Sequence, residues 1–320
     1  METWIAEVTG ARSARRGERL ASLWSGYGEI VRVHLEAGPA ATVVLKRVAP
    51  PTTRAHPRGW GTDRSHARKL RSYAVEAAFY RGFAARSRAR VPALHAARDA
   101  AGQWNFVLED LDAAGFPERR RTASHDDVDG CLAWLAAFHA SFLGEAPEGL
   151  WAEGTYWHLA TRPDELAAMA PGPLRDAAAA LDEALVRCPF RTLVHGDAKL
   201  ANFCFGPAGV AALDFQYVGG GCGMKDVAYL FSCLDTATLE RHAAGYLDRY
   251  FAHLRTALDD TAHDAGAVEA VWRPLLPLAF ADFERFLAGW APEHPKRDAY
   301  AAAMTEQALR SCWNASKAER

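Results

Sequence analysis

The tightest constraint on this chain is the stretch Thr192-Leu-Val-His-Gly-Asp-Ala-Lys-Leu-Ala-Asn-Phe-Cys-Phe205, followed by Ala212-Leu-Asp-Phe-Gln216. It puts Asp197, Lys199 and Asn202 into one short loop and sets Asp214 at the end of an apolar run. Phosphoryl transfer needs such a set: a carboxylate to orient the attacking hydroxyl, a cation near the transferred phosphate, and two oxygen ligands for Mg²⁺. Phe203 to Phe205 and Val210 to Leu213 have the spacing of a short hairpin between the two motifs. The bland alternative is a solvated turn with incidental charges. A second motif following in register weighs against it.

The rest of the composition bounds the answer without naming it. At 320 residues the chain could be one large domain or two lobes sharing a cleft. Half of it is apolar and the charged fraction is ordinary, which excludes a disordered protein. A formal charge of −2 implies neither a nucleic-acid partner nor a membrane field, and no apolar run reaches the roughly 18 residues of a spanning helix. The N-terminus lacks a signal peptide's basic-then-apolar pattern. Cys131, Cys188, Cys204, Cys222, Cys233 and Cys312 form no C-x-x-C pair. They read as buried thiols of a reducing, cytoplasmic compartment.

An N-terminal sheet is expected over residues 18 to 48. Glu29 to Leu35 alternates, with Val31, Val33 and Leu35 on one face, and Thr42 to Lys46 makes a second strand. Gly26-Tyr-Gly28 is a tight turn whose glycines would let N–H groups approach phosphates, although a glycine hairpin is common and Val31 stands where a third glycine would be. Lys46 ends an apolar strand. A lone lysine there is usually solvated, but its place after the glycine turn favours phosphate. Residues 49 to 69 read as a basic loop that either covers anionic phosphates or is a surface insertion. Val75, Phe79 and Phe83 then recur at helical spacing over 72 to 83, with Glu76 at the edge of the buried face.

Trp104 to Leu111 is a buried strand ending in two acids. A polar, Arg-rich linker runs to 123, and Ser124-x-x-Asp127 then resembles a capping box. The helix that follows passes through Leu132, Leu135, Phe138, His139 and Phe142 to Gly144. His139 reads as a core histidine bonded to the backbone of the 192–205 loop rather than as a proton shuttle. Helices broken by Pro163, Pro171 and Pro173 come next. After a glycine-rich path, Asp226 either caps a helix or pins that loop. Helices are expected over about 236 to 258, 265 to 290 and 297 to 316, with Leu276, Phe280, Phe283, Leu287 and Trp290 as a core stripe or a pocket lining.

In this order the chain resembles the kinase-like small-molecule phosphotransferases: choline kinases, aminoglycoside phosphotransferases and, most closely, the ecdysteroid-kinase-like family. The resemblance rests on Gly26-Tyr-Gly28, Leu45-Lys46, Glu76-x-x-Phe79-Tyr80, Val107-Leu-Glu-Asp-Leu111, Ala136-x-Phe-His-Ala140, Leu193-Val-His-Gly-Asp197, Asn202, Leu213-Asp-Phe-Gln216 and Asp226-Val-Ala-Tyr229. Asp197-x-Lys199-x-x-Asn202 also matches the D-x-K-x-x-N core of protein kinases. Two departures stand out: the third glycine is missing, and Lys199 follows the protein-kinase pattern. Only twelve positions separate Asp214 from Asp226 and no Ala-Pro-Glu follows, too short a segment to dock a peptide. A small-molecule acceptor is favoured.

The resemblance implies an α+β, bilobal, protein-kinase-like fold. Residues 1–111 would be a nucleotide-binding lobe with a small antiparallel sheet and one helix. Residues 112–320 would be a larger, mostly helical lobe carrying the catalytic loop, the metal and the substrate. Gly26, Gly28 and Lys46, positioned by Glu76, would bind the phosphates of ATP, while backbone groups of Glu109 and Leu111 read adenine. Asn202 and Asp214 would hold Mg²⁺, Asp197 would take the proton of a small-molecule alcohol, and Lys199 would steady the phosphoryl group. Polycations would call for an acidic pocket, yet Asp282, Glu284, Glu293 and Asp298 are interleaved with Arg285, Lys296 and Arg297. Phe280, Phe283 and Trp290 lean towards a partly apolar alcohol. No obligate protein partner is implied. The alternative function is a catalytically silent nucleotide-binding or scaffold protein of the same fold, expected to have lost Lys46, Asp197 or Asp214. All three are present.

Overall fold

The computed structural model of the chain describes residues 1–50, 62–100 and 102–318, with side chains as far as 311. Its first elements are α1 (Glu2–Thr9), β1 (Ser13–Ser22), β2 (Gly28–Glu36), β3 (Thr42–Val48), α2 (Asp63–Gly82), β4 (Leu94–Ala100) and β5 (Gln103–Glu109). Then come α3 (His125–Ser141), α4 (Pro163–Ala168), α5 (Pro173–Asp176), α6 (Ala178–Val186), β6 (Thr192–Val194), β7 (Phe203–Gly206), β8 (Gly209–Ala212) and β9 (Gly219–Gly221). The last five are α7 (Met224–Phe231), α8 (Thr236–Leu258), α9 (Ala265–Trp272), α10 (Leu276–Trp290) and α11 (Ala299–Ala318). The chain forms two compact units. The first comprises Met1–Arg86, Arg90–Arg119 and Cys204–Gln216; the second comprises Ser87–Ala89, Arg120–Phe203 and Tyr217–Arg320.

In the first unit five strands form an antiparallel sheet in the order β1-β2-β3-β5-β4. The central strands alternate as expected, and Val33, Val43, Leu45 and Val107 share an apolar cluster on one face. Helix α1 caps that cluster through Ile5, with Trp4 and Val8 beside it, a helical spacing in a segment too short to stand alone. On the other edge β4 is largely exposed and barely alternates, so it left no periodic signal. Strand β1 begins at Ser13 rather than 18, because it is a basic, solvated edge strand with register shifts around Arg16 and Arg19.

The loop expected over 49 to 69 is corrected at its end. Residues 51–61, with Arg54, Pro57, Arg58 and Gly59, lie outside the described residues, but α2 starts at Asp63. Thr62 caps it by accepting the Ser65 N–H at 3.1 Å, so Arg64, Arg68 and Lys69 are helical. The β7–β8 hairpin also belongs to this unit. Phe205 pairs with Glu118, and Ala211 with Arg90. Phe215 stacks on Phe79 of α2 with ring centroids 4.1 Å apart.

The second unit is mostly helical. Ser124 and Asp127 form the reciprocal capping box that opens α3, and α3 packs on α8. The helix expected over 265 to 290 is instead two, α9 and α10, divided by a tight turn at Arg273–Leu275. Pro274 and Pro277 remove donors there. Helix α10 is buried nearly all round, packed against α4, α6, α7 and α11. Its stripe is therefore core: Phe283 packs with Trp157, Tyr229, Phe286 and Leu287. Strands β6 and β9 pair antiparallel across Thr192–Val194 and Gly219–Gly221, which sets the root of the loop that follows β6.

Candidate active site

In the first unit, strand β3 delivers Lys46 into the interior, where only 4% of it is exposed. A buried ammonium requires partners. It donates to Glu76 Oε1 of α2 at 2.7 Å and to Asp214 Oδ1 at 3.3 Å. Burial opposes the charge on Lys46, but Asp214 and then Glu76 outweigh it and hold its pKa above the ordinary lysine value. Burial likewise pushes the carboxyl of Glu76 up, against the pull of Lys46. Asp214 sits at a positive φ of 71°, a conformation rare for a residue with a side chain. Gln216 donates to Asp214 Oδ1 at 2.5 Å and in turn accepts from Lys69 at 2.7 Å and Ser72 at 3.2 Å.

The glycine turn leads into the same sheet. Gly26 and Gly28 have φ of 74° and 140°, and a Cβ on Gly28 would fall 2.0 Å from the carbonyl oxygen of Arg47. Only glycine lets β2 start that close to β3. Tyr27 between them hydrogen-bonds His66 of α2 at 2.5 Å. At the end of β5, Glu109 gives its N–H to Ala93 at 2.9 Å, and Leu111 accepts the Phe116 N–H at 2.8 Å. The Glu109 side chain is paired with Arg90 at 2.5 Å.

In the second unit the loop after β6 is held from beneath by one carboxylate. Asp226, fully buried in the first turn of α7, accepts the N–H groups of His195 at 2.6 Å and Gly196 at 2.9 Å. Its Oδ2 also lies 3.1 Å from His139 Nε2, and Nδ1 of that ring is hydrogen-bonded to the Tyr250 hydroxyl at 2.8 Å. His139 is thus a core histidine, but it reaches the loop through Asp226, and not by the backbone bond expected. Gly196 has φ 77°, and a Cβ there would lie 2.1 Å from the Tyr217 carbonyl oxygen.

That support presents Asp197. Its Oδ2 accepts from Lys199 at 2.8 Å and from Asn202 Nδ2 at 2.9 Å. The same amide nitrogen reaches the Asp197 carbonyl oxygen at 2.8 Å. Asp197 Oδ1 is buried without a hydrogen-bond partner among the described residues. A buried carboxylate oxygen left unpaired is costly unless a ligand or proton comes to it. With both nitrogen bonds directed at Asp197, the Asn202 oxygen is not spent on it. Asn202 in the second unit and Asp214 in the first each offer an oxygen of the hard kind that Mg²⁺ takes. No cluster of three or more His, Cys, Asp or Glu suited to a metal occurs among the described residues.

Beside the loop is a cavity of about 870 Å³, bordered by Lys199, Leu200 and Ala201 of the loop, Arg120, Tyr229 of α7 and Lys296. Phe280, Phe283 and Trp290 do not line it. Tyr229 shares a hydroxyl–hydroxyl bond of 3.1 Å with Tyr156. Burial, then the neighbouring Tyr156 and Asp197, push its pKa well up, so it stays a neutral phenol. Asp282 is committed to Arg285 at 2.7 Å and Glu284 to Arg297 at 2.7 Å.

The residues read from the sequence therefore fall into two groups: Lys46, Glu76 and Asp214 in contact in the first unit, and Asp197, Lys199 and Asn202 in contact in the second. Gln216, Lys69, Tyr156 and Lys296 had no role assigned. The glutamine of the Asp-Phe-Gln triplet was the available signal for the first two.

A five-stranded antiparallel sheet joined to a mostly helical unit, with these two constellations, defines a kinase-like small-molecule phosphotransferase. The profile of the phosphotransferase enzyme family matches residues 21–263, and the chain belongs to that family. Among solved structures, the GDP complex of aminoglycoside 2'-phosphotransferase-IIIa is 10% identical, with 97% of each chain covered and a TM-score of 0.52. This likeness supports the fold. An aminoglycoside phosphotransferase from Streptomyces rimosus, with ADP and streptomycin, is 15% identical over 81% of this chain and 90% of that one, TM-score 0.47. An amicoumacin kinase with AMP-PNP and Ca²⁺ is 13% identical over 92% and 87%, TM-score 0.48. No curated protein matches the chain. Among the described residues no helix is long and apolar enough to cross a membrane.

Proposed function

We propose that the protein is an ATP-dependent phosphotransferase that phosphorylates a hydroxyl group of a small molecule. The observation that carries this reading is the partnerless buried Oδ1 of Asp197, held in a loop whose backbone Asp226 grips. Asp197 orients the acceptor hydroxyl and takes its proton. As the acceptor oxygen bonds to the γ-phosphorus, the bond from that phosphorus to the β–γ bridging oxygen breaks and ADP leaves. Lys199 steadies the phosphoryl group in transit. Residues 1–111 act as the nucleotide-binding part: the Gly26–Gly28 turn and Lys46, positioned by Glu76, hold the phosphates, and main-chain groups of Glu109 and Leu111 meet adenine. Residues 112–320 bring the catalytic loop and the acceptor. Asn202 and Asp214 are the proposed Mg²⁺ ligands, and the ion when bound neutralises charge on the phosphate oxygens.

The test is a broad panel of hydroxyl compounds incubated with Mg·ATP, read by ADP release and by product mass. A product heavier by one phosphoryl group, absent with Asp197→Asn, is the expected result. Binding of Mg·ATP with no product from any class of alcohol would remove the reading.

A further inference from the structure

The cavity bordered by Lys199 has an electrical character that the phosphotransferase reading does not by itself supply. Its volume of about 870 Å³ suits a molecule of several rings or a substituted sugar. Arg120, Arg121, Lys199 and Lys296 border it against two acids, Asp235 and Asp298. Both acids cap helices, and neither forms an ion pair with Lys296 among the described residues. Asp235 caps α8, its two oxygens accepting the Thr238 N–H at 2.9 Å and hydroxyl at 2.7 Å. Asp298 Oδ1 accepts the Ala301 N–H at 2.9 Å at the start of α11. Two of the cations are matched as well, Arg120 by Asp127 at 3.2 Å and Lys199 by Asp197 at 2.8 Å.

Lys296 is not matched by a carboxylate. Its ammonium donates to Ser232 Oγ at 3.0 Å and to Cys233 Sγ at 3.2 Å, and stands 4.1 Å from the centre of the Tyr229 ring. None of the three is a carboxylate. Among the described residues it has no ion pair, although it is half-buried at the wall of the cavity. A fixed positive charge so placed favours an anion at that wall and repels another cation.

We infer that this cavity takes the acceptor and selects a hydroxylated molecule bearing an oxyanion, a carboxylate or a phosphate, with Lys296 as the group that recognises it. A neutral polyol lacks the partner, and a polycationic amino sugar meets like charge. The inference rests on the phosphotransferase reading for where the hydroxyl reacts; the charge of the cavity stands apart from it.

The experiment uses the full chain with Mg·ATP and four probes: gluconate, glucose 6-phosphate, glucose and kanamycin. Transfer is followed as kcat/KM by product mass, and binding of the two anions by calorimetry, in wild type, Lys296→Arg and Lys296→Glu. At least one anion is expected to exceed glucose about tenfold in kcat/KM, with kanamycin lowest. The gluconate and glucose 6-phosphate arms tell carboxylate from phosphate. Lys296→Glu should abolish the preference and Lys296→Arg retain it, with unfolding temperatures followed in parallel. A lysine that merely ties Ser232 and Cys233 to the segment before α11 would shift stability and leave the order of acceptors unchanged, which overturns the inference. Glucose or kanamycin matching the anions overturns it too, while the phosphotransferase reading stands. Anion binding that depends on Lys296 without transfer to any probe supports the oxyanion site and counts against the phosphotransferase reading. Absence of Lys296-dependent binding of both anions overturns the inference.

Discussion

Lys199 donates to Oδ2 of Asp197 at 2.8 Å, while Oδ1 of the same carboxylate is buried with no partner among the described residues. The two oxygens thus have different surroundings. Lys199 and Asn202 fix the orientation of the group through one oxygen, and the other is left without a partner among the described residues. A lysine two positions from the carboxylate, in a loop bent by Gly196, is near enough to do this without a helix to align it.

Asp197→Asn keeps the size of the side chain and removes its charge. Nucleotide affinity should change little, whereas transfer should fall roughly 10²- to 10⁴-fold, the usual contribution of a positioned base. Single-turnover kinetics beside nucleotide titration separate the two. Near-normal kcat in this variant would take away the centre of the mechanism.

The Lys46–Glu76 pair predicts a thermodynamic cycle with strong coupling. Lys46→Met should lower kcat/KM at least about tenfold, or about 1.4 kcal/mol. Glu76→Ala should cost less, because Asp214 still holds Lys46 at 3.3 Å. The double variant should be little worse than Lys46→Met, since Glu76 acts through the lysine. Losses that simply add would reject the pair as a unit.

Mg·ATP should stabilise the protein by about 2.7 kcal/mol at a hundredfold excess over Kd. Chelating the metal or introducing Asp214→Ala should remove most of that shift, because the carboxylate is the proposed metal ligand. A thermal shift indifferent to both would sink the metal assignment.

Asp226→Asn should unsettle the loop after β6. The carboxylate accepts two main-chain N–H groups and bonds one imidazole nitrogen, and an amide can turn only one acceptor oxygen towards these three partners. Bonds to a charged acceptor contribute about 1.5–3 kcal/mol each, so a loss on the order of 3 kcal/mol is expected in urea unfolding, together with loss of transfer. An unchanged unfolding curve would show that the loop is held by something else.

Acid sensitivity should appear where α3 meets α8. The hydrogen bond from Arg249 at 2.6 Å, and then His253 at 2.9 Å, lower the pKa of Asp129 to about 2. A lowered carboxylate pKa contributes stability above its unfolded value near 4, lost as pH falls through 2. Asp129→Asn should therefore cost about 1–2 kcal/mol at pH 7, the upper limit trimmed because Arg249 is more than half exposed. The difference from wild type should vanish below pH 2. A constant difference across that range would reject the assignment.

What the sequence determined by itself lies where chemistry and periodicity coincide in a short span. Asp197, Lys199 and Asn202 are neighbours along the chain, so their contact follows from one loop, and the reciprocal cap of Ser124 and Asp127 is complete within four residues. The alternation of Val31 and Val33 predicted their burial beneath the sheet. The start of edge strand β1 and the whole of β4 were not legible, because solvated strands need not alternate. The start of α2 at Asp63 escaped because a basic helix turn reads like a basic loop. The resemblance implied that Glu76 holds Lys46, but tertiary structure alone decided that Asp214 joins them, since 168 positions separate it from the lysine and only the sheet, α2 and the β7–β8 hairpin together bring the three within bonding distance. It alone also decided that Asp235 and Asp298 cap helices while Lys296, among the described residues, forms no ion pair. A composition counts charges, but only packing settles which of them are already paired.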